Sequence, residues 1–277
     1  MNGRNPVLLD LNDNGLSITD TATSNLFLDI GGDGYQHRTA WVGAGDGVLM
    51  IDVDSDGKIS DRKEIVFTDW DPSADGDMQA LRQVFDTNGN GLLDSGDARW
   101  SQFKVMVTNA DGTITQKSLK DLGIQSINLT LDETKIVFDG GSSIDGQTRF
   151  TRTNGKTGLA ASATFAVEAD GYVVRQASSK DEAGNQTVIT SAFEKDGKLA
   201  SETTRVTSAN GLSITSRFDD DGNGIIDRVL TDVTVVNANG SRTQTEAMRD
   251  GGGILTWSKK TQTSADGKTI TIDRDQR

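Results

Sequence analysis

Between Asp86 and Asp97 the sequence Asp-Thr-Asn-Gly-Asn-Gly-Leu-Leu-Asp-Ser-Gly-Asp spaces hard oxygen donors as a calcium ion requires them. Calcium collects six to eight oxygens, and a twelve-residue loop delivers them from alternate positions around a tight bend. Asp86, Asn88 and Asn90 stand at positions one, three and five, and Gly91 takes the bend at six. Leu92 offers its carbonyl at seven, Asp94 stands at nine and Asp97 at twelve. Aspartate at twelve is shorter than the usual glutamate. Bidentate closure is then weakened, and the affinity moves toward the extracellular range of about 10⁻⁴ to 10⁻³ M.

A second loop starts at Asp52, with Asp54 and Asp56 at three and five, Gly57 at six, and Lys58 and Ser60 at seven and nine. Lys63 occupies position twelve, so Glu64, one step later, is the candidate closing ligand. A third loop carries Asp219, Asp221, Asn223 and Asp227 around Gly224, but Leu230 stands at twelve and no helical pattern flanks it. An acidic hairpin turn is the competing reading there. Two half-loops lie near the start, Asp10-Asn12-Asn14 before Gly15 and Asp29-Asp33 before Gly34, and two halves can share one ion. Asn109-Ala-Asp111-Gly112 has Val107 where the first acid belongs, and reads as a plain hairpin.

The elements that hold these loops follow from hydrophobic spacing. Met78, Leu81, Val84 and Phe85 fall on one helical face, and Asp77 is placed as the N-cap. That helix runs into the loop at Asp86. Trp100 and Phe103, three apart, predict a short exiting helix before a strand over Lys104 to Thr108. Helix, loop, helix is the EF-hand order. Further strands are predicted at Ile124 to Leu131, Lys135 to Phe138 and Gln147 to Thr153, so residues 1–165 read as an α+β, EF-hand-like calcium-loop module.

Residues 166–277 have another texture, and read as an all-β antiparallel hairpin or meander array. Threonine- and valine-rich runs alternate with turns at Asp170-Gly171, Gly184-Asn185, Asp196-Gly197, Asn210-Gly211, Asn223-Gly224, Asn239-Gly240, Gly251-Gly252 and Asp266-Gly267. Thr207-Ser-Ala-Asn-Gly211 returns as Thr263-Ser-Ala-Asp-Gly267, and the chain stops where another acidic loop would begin. This predicts a piece of a longer repetitive protein.

Composition limits the partners. Acids outnumber bases 41 to 28, giving −13, which argues against nucleic acid and anionic membrane and in favour of cations. With 34% hydrophobic residues, 5% aromatic and 31 glycines, a small core is expected. Cysteine is absent, so bound metal is the available cross-link for a chain outside the cell. No run approaches the roughly 18 apolar residues of a membrane span. Met1 to Pro6 has no basic segment followed by an apolar run, so an export signal is expected elsewhere. His37, the sole histidine, reads as a surface residue, and no residue is assigned a catalytic role.

The series Pro6 to Gly15, Asp29 to Val42 with Trp41-Val42, Asp52 to Glu64, the helix, Asp86 to Asp97, and Leu122 to Leu129 resembles the calcium-dependent self-processing modules of Frp-like RTX exoproteins. The resemblance covers roughly residues 6 to 165 and implies a secreted bacterial surface or matrix protein that folds on binding Ca²⁺. Its partners would be calcium ions and other segments of the parent protein or cell-surface polymers. It also supports Glu64 as a ligand. Some members cut an Asp-Pro bond just before the first acidic motif, and a calcium-activated autoprotease is the alternative function. The matching pair here is Asn5-Pro6, and an amide cannot form the anhydride which that cleavage needs. Asp71-Pro72, the one Asp-Pro pair, reads as a turn before a helix.

Overall fold

The structure, a computed structural model, describes residues 6–29, 31–55, 62–109, 113–138, 140–265 and 269–276. The chain divides into two compact units, Met1–Asp170 and Gly171–Arg277.

The first unit is built on antiparallel strands. They are β1 (Val7–Asp10), β2 (Phe27–Leu28), β3 (Gln36–Thr39), β4 (Asp46–Ile51), β5 (Leu92–Asp94) and β6 (Phe103–Thr108). β7 (Ile114–Ser118), β8 (Ile124–Asn128), β9 (Ile136–Val137), β10 (Ser143–Arg152) and β11 (Thr157–Thr164) follow. Nine of them form one sheet in the order β5-β8-β10-β11-β1-β4-β6-β7, with β9 also paired to β10. β2 and β3 pair as a hairpin outside that sheet.

Successive side chains of a strand point to opposite faces, and here both faces of the central strands are covered. Val7, Leu9, Leu49, Ile51 and Val105 enter a core with Phe67, Leu81, Phe85, Phe103, Ile127 and Phe150. Leu8, Val48, Met50 and Met106 enter a second core with Trp41, Val42, Ala161 and Phe165. Burial on both sides explains why β1 and β4 read as unbroken apolar runs rather than alternating ones.

The expected α+β, EF-hand-like module is not what forms: this unit is nearly all β. The predicted helix is a single α turn, Asp77–Ala80, continued as a π turn, Leu81–Phe85. Its N-cap is Gly76, not Asp77, whose carboxylate instead accepts the Thr68 N–H at 2.8 Å. The exiting helix is one 3₁₀ turn, Trp100–Gln102, because Phe103 begins β6 and its ladder to β4 takes the backbone. The second half of the Asp86 loop is a strand as well, Leu92–Asp94 pairing with Asn128–Ser126 of β8. Helical spacing at Met78, Leu81 and Phe85 is present and buries that face, but cross-strand pairing takes the rest of the segment.

In the second unit the chain continues through β12 (Val167–Lys180), β13 (Gln186–Phe193), β14 (Leu199–Thr207), β15 (Ser213–Asp219) and β16 (Arg228–Val236). β17 (Arg242–Asp250), β18 (Leu255–Thr263) and β19 (Ile270–Gln276) complete a meander in which each strand pairs with the next. The tight turns at Gly184, Gly197, Gly211, Gly224, Gly240 and Gly252 fall between strands as predicted, whereas Asp170-Gly171 lies inside β12 and makes no turn. Asp266-Gly267 lies outside the described residues. Among the described residues of this unit, only Ala192, Ile214, Phe218 and Met248 are buried apolar groups, and Thr190, Ser201, Thr203, Thr207 and Ser216 share their burial. Hydroxyls fill much of what would be core, which is the thin packing expected of the composition.

Candidate metal centre

Five acidic turns begin alike at their described residues. In four of them the first acid accepts two successive backbone N–H groups, those of positions five and six. Asp10 accepts from Asn14 and Gly15 at 3.3 and 2.9 Å. Asp29 accepts from Asp33 and Gly34 at 3.0 and 2.9 Å. Asp86 accepts from Asn90 and Gly91 at 3.1 and 2.8 Å, and Asp219 from Asn223 and Gly224 at 3.1 and 2.8 Å. Position four is left-handed in all five, at Asp13 (φ 58°), Gly32 (70°), Ser55 (61°), Gly89 (71°) and Gly222 (70°). Asp13 and Ser55 are the only described non-glycine residues with positive φ. A conformation that side chains disfavour thus recurs at one place in one motif. In the four turns the backbone wraps around the leading carboxylate.

A closing acid completes three of these turns, and each time it accepts the N–H of position two. Glu64 Oε1 accepts from Val53 at 3.1 Å, Asp97 Oδ1 from Thr87 at 2.8 Å, and Asp227 Oδ2 from Asp220 at 2.8 Å. The carboxylates of Asp52, Asp54 and Glu64 lie within 4.8 Å of one another, as do those of Asp219, Asp221 and Asp227. Asp52 and Glu64 are buried, 2% and 1% exposed, and Lys104 pairs with Asp52. Glu64 ends a 3₁₀ turn, Arg62–Glu64. Asp56, Lys58 and Ser60 lie outside the described residues, as do Asn5, Asp111 and Gly112.

In the Asp86 loop, Asp97 also accepts from Asn88 N and, through Oδ2, from Asp94 N. The side-chain amides of Asn88 and Asn90 both donate to Asp94, at 3.2 and 2.8 Å. The Asn90 amide, with the Gly96 N–H after it, holds the Asp94 carboxyl below the usual carboxylate range. Asn90 Oδ1 accepts from the N–H of Leu92.

The two half-loops near the start have different neighbours. Around Asp29 and Asp33, His37 Nε2 lies 3.4 Å from both Asp33 oxygens, and Arg62 donates to the Gly31 carbonyl. His37 is 2% exposed and its Nδ1 contacts the Glu168 carbonyl at 3.1 Å, so it braces β3 from inside rather than lying on the surface. The loop at Asp10 lies instead beside Asp46, its direct cross-strand partner on β4.

Asp46 has no role in the sequence reading, and Asp77, expected there as an N-cap, is a buried acid instead. Asp46 has its carboxyl pushed up to about 7 by burial, partly offset by the Ser17 N–H and raised further by Asp10. Asp77 is pushed up to about 6, again by burial, against the opposing hydrogen bond from Thr68. The available signal was an acid at the head of a strand whose following residues, Gly47 to Ile51, are all apolar.

A hard divalent cation fits this chemistry. The donors are carboxylates, amide oxygens and carbonyls, with no thiol and no histidine cluster among the described residues, and buried acids stand close enough to share one ion.

The SPM domain family model matches residues 7–166. Over 162 residues the chain is 30% identical to the iron-regulated protein FrpA of Neisseria meningitidis serogroup C, an alignment covering 55% of this chain and 14% of that protein. The chain therefore corresponds to a small part of that relative's length. Among the described residues no helix is long and apolar enough to cross a membrane.

Proposed function

The chain belongs to the SPM domain family, and from that premise we propose that its first unit is a calcium-binding module of a larger exported bacterial surface or matrix protein. The observation that carries the reading is the repeated turn, in which one left-handed position and one pair of N–H bonds recur around acids set for an oxygen-rich ion. Asp86, Asn88, Asn90, Leu92, Asp94 and Asp97 are assigned to one ion. Asp52, Asp54 and Glu64, with Asp56, Lys58 and Ser60, are assigned to a second. Asp219, Asp221, Asn223 and Asp227 are a third, on the meander. The resemblance to RTX-type modules supports calcium as the ion and export as the setting. Other segments of the parent protein or cell-surface polymers are the partners such a module would join.

Calcium would act on folding rather than on a reaction. The crowded carboxylates repel one another, and a cation that binds only the folded arrangement lends its binding energy to folding. The reading does not extend to self-cleavage, since Asn5 precedes Pro6 and Asp71 is held in a turn by Ser73. The test is thermal unfolding and hydrogen exchange in chelator and in millimolar Ca²⁺. At a tenfold excess over the dissociation constant, stability rises by about 1.4 kcal/mol for each site. Equal melting temperatures in the two conditions remove the proposal.

A further inference from the structure

We propose that Asp46, a residue on a different strand from the loop it serves, closes the Asp10 turn into a complete divalent-cation site. This rests on the calcium reading above and adds a ligand that the loop's own sequence does not contain. Counting from Asp10, position twelve is Thr21, which sits in a separate 3₁₀ turn beside Asp20. No closing acid arrives along the chain.

The fold supplies one across the sheet. Asp10 and Asp46 are directly opposed in the β1–β4 ladder, so their side chains share a face at the closest spacing two strands allow. Asp10 is 4% exposed and Asp46 fully buried. Like charges directly opposed and out of water are unfavourable unless something positive lies between them. The Asp10 oxygens accept N–H groups from Asn14 and Gly15. Asp46 Oδ2 accepts both the N–H and the hydroxyl of Ser17, at 3.0 and 3.2 Å. Asp46 Oδ1 is buried and accepts no hydrogen bond. A buried oxygen without a hydrogen-bond partner, on an acid directly opposed to Asp10, is the independent sign of a cation ligand.

The backbone around Asp46 also occupies the closing acid's place. In three of the other turns the position-two N–H is taken by Glu64, Asp97 or Asp227. Here the position-two residue is Leu11, and its N–H bonds to the carbonyl of Gly45, the residue before Asp46. Asn12 donates to the Ala44 carbonyl, and a Cβ on Gly45 would lie 1.9 Å from the Asn12 amide nitrogen, so that glycine lets the two segments touch. The nearby cation, Arg152, is engaged by the Leu11 carbonyl and by Asp13 on the outer side of the turn. Asp10, Asn12, Asn14 and Asp46 therefore form a site of hard oxygens, with Ser17 orienting Asp46. Asp29 is not needed as its other half.

Native mass spectrometry of the full chain with Ca²⁺ alone counts the ions bound, and melting is read in chelator and in calcium. Asp46→Asn keeps the shape and the Ser17 contacts, and Asp46→Ser is the second variant should the amide misfold. The expected result is the loss of one bound ion, with melting in chelator unchanged or raised and melting in calcium lowered. Asp10→Asn loses the same ion, and the double variant loses no further one. An unchanged ion count in both Asp46 variants overturns this proposal while leaving the calcium reading in place, and so does a double variant that loses two ions. A wild-type chain that binds no calcium overturns both.

Discussion

Asp86 and Asp219 head turns whose hydrogen bonds match within 0.1 Å, since each accepts two N–H groups at 3.1 and 2.8 Å. Their supports differ. Phe85, immediately before the first, packs edge-on against Phe103 at 5.2 Å and Trp70 at 5.3 Å, and against Phe67 at 6.0 Å. Phe218, immediately before the second, is capped by the Arg228 guanidinium at 4.7 Å on a sheet face where Thr203 stands opposite it and Ser216 and Ile214 follow along the strand. One turn rests on an aromatic cluster and the other on a single ring. The acidic turn is thus a local unit that either kind of sheet accepts, and the packing beneath it determines how much of the fold depends on it.

The largest effect that should separate the two is removal of the supporting ring. Phe85→Ala should cost about 3–5 kcal/mol, because the cluster around it cannot collapse into the space. Phe218→Ala should cost clearly less, since the neighbouring Thr and Ser side chains can relax and hydrate. Denaturant unfolding followed by hydrogen exchange in each unit measures both, and equal losses would break the comparison.

A second difference is electrostatic and belongs to the first unit. Asp77 is pushed up to about 6 by burial, from 3.8, so the folded state holds a proton that the unfolded state releases. Stability contributed by the protonated group is therefore present at low pH and lost as pH rises between these values. The loss approaches about 3 kcal/mol, following the linkage between pKa shift and folding. Melting in chelator from pH 4 to pH 7 should show this fall, and Asp77→Asn should remove its share, leaving the part due to Asp46, which burial pushes up to about 7. A slope unchanged in that variant would assign the effect elsewhere.

The smallest expected difference sharpens the comparison at the ion itself. Asp86→Ala should weaken calcium binding more than Asp219→Ala, because Asp97 closes the first loop at position twelve and Leu230 stands there in the other. Calorimetric titration of the two variants ranks them. A larger loss from Asp219→Ala would show that the tight group of Asp219, Asp221 and Asp227 outweighs the length of the loop.

Residue order is enough to specify the turns. An acid, a left-handed fourth residue and a glycine at six make hydrogen bonds that span no more than five residues, so residue order alone specifies them. The hairpin turns of the meander were legible for the same reason, from Gly184 to Gly252. Tertiary structure decided what stands on either side. Strands flank the loops at Asp10, Asp52 and Asp219 because ladder partners distant in the chain claim the backbone, and the Trp100 segment yields to the β4–β6 pairing. The same long-range pairing buries His37 and sets Asp46 opposite Asp10. Those juxtapositions depend on which strands meet and in what register, and a side-chain period of two carries no record of the partner.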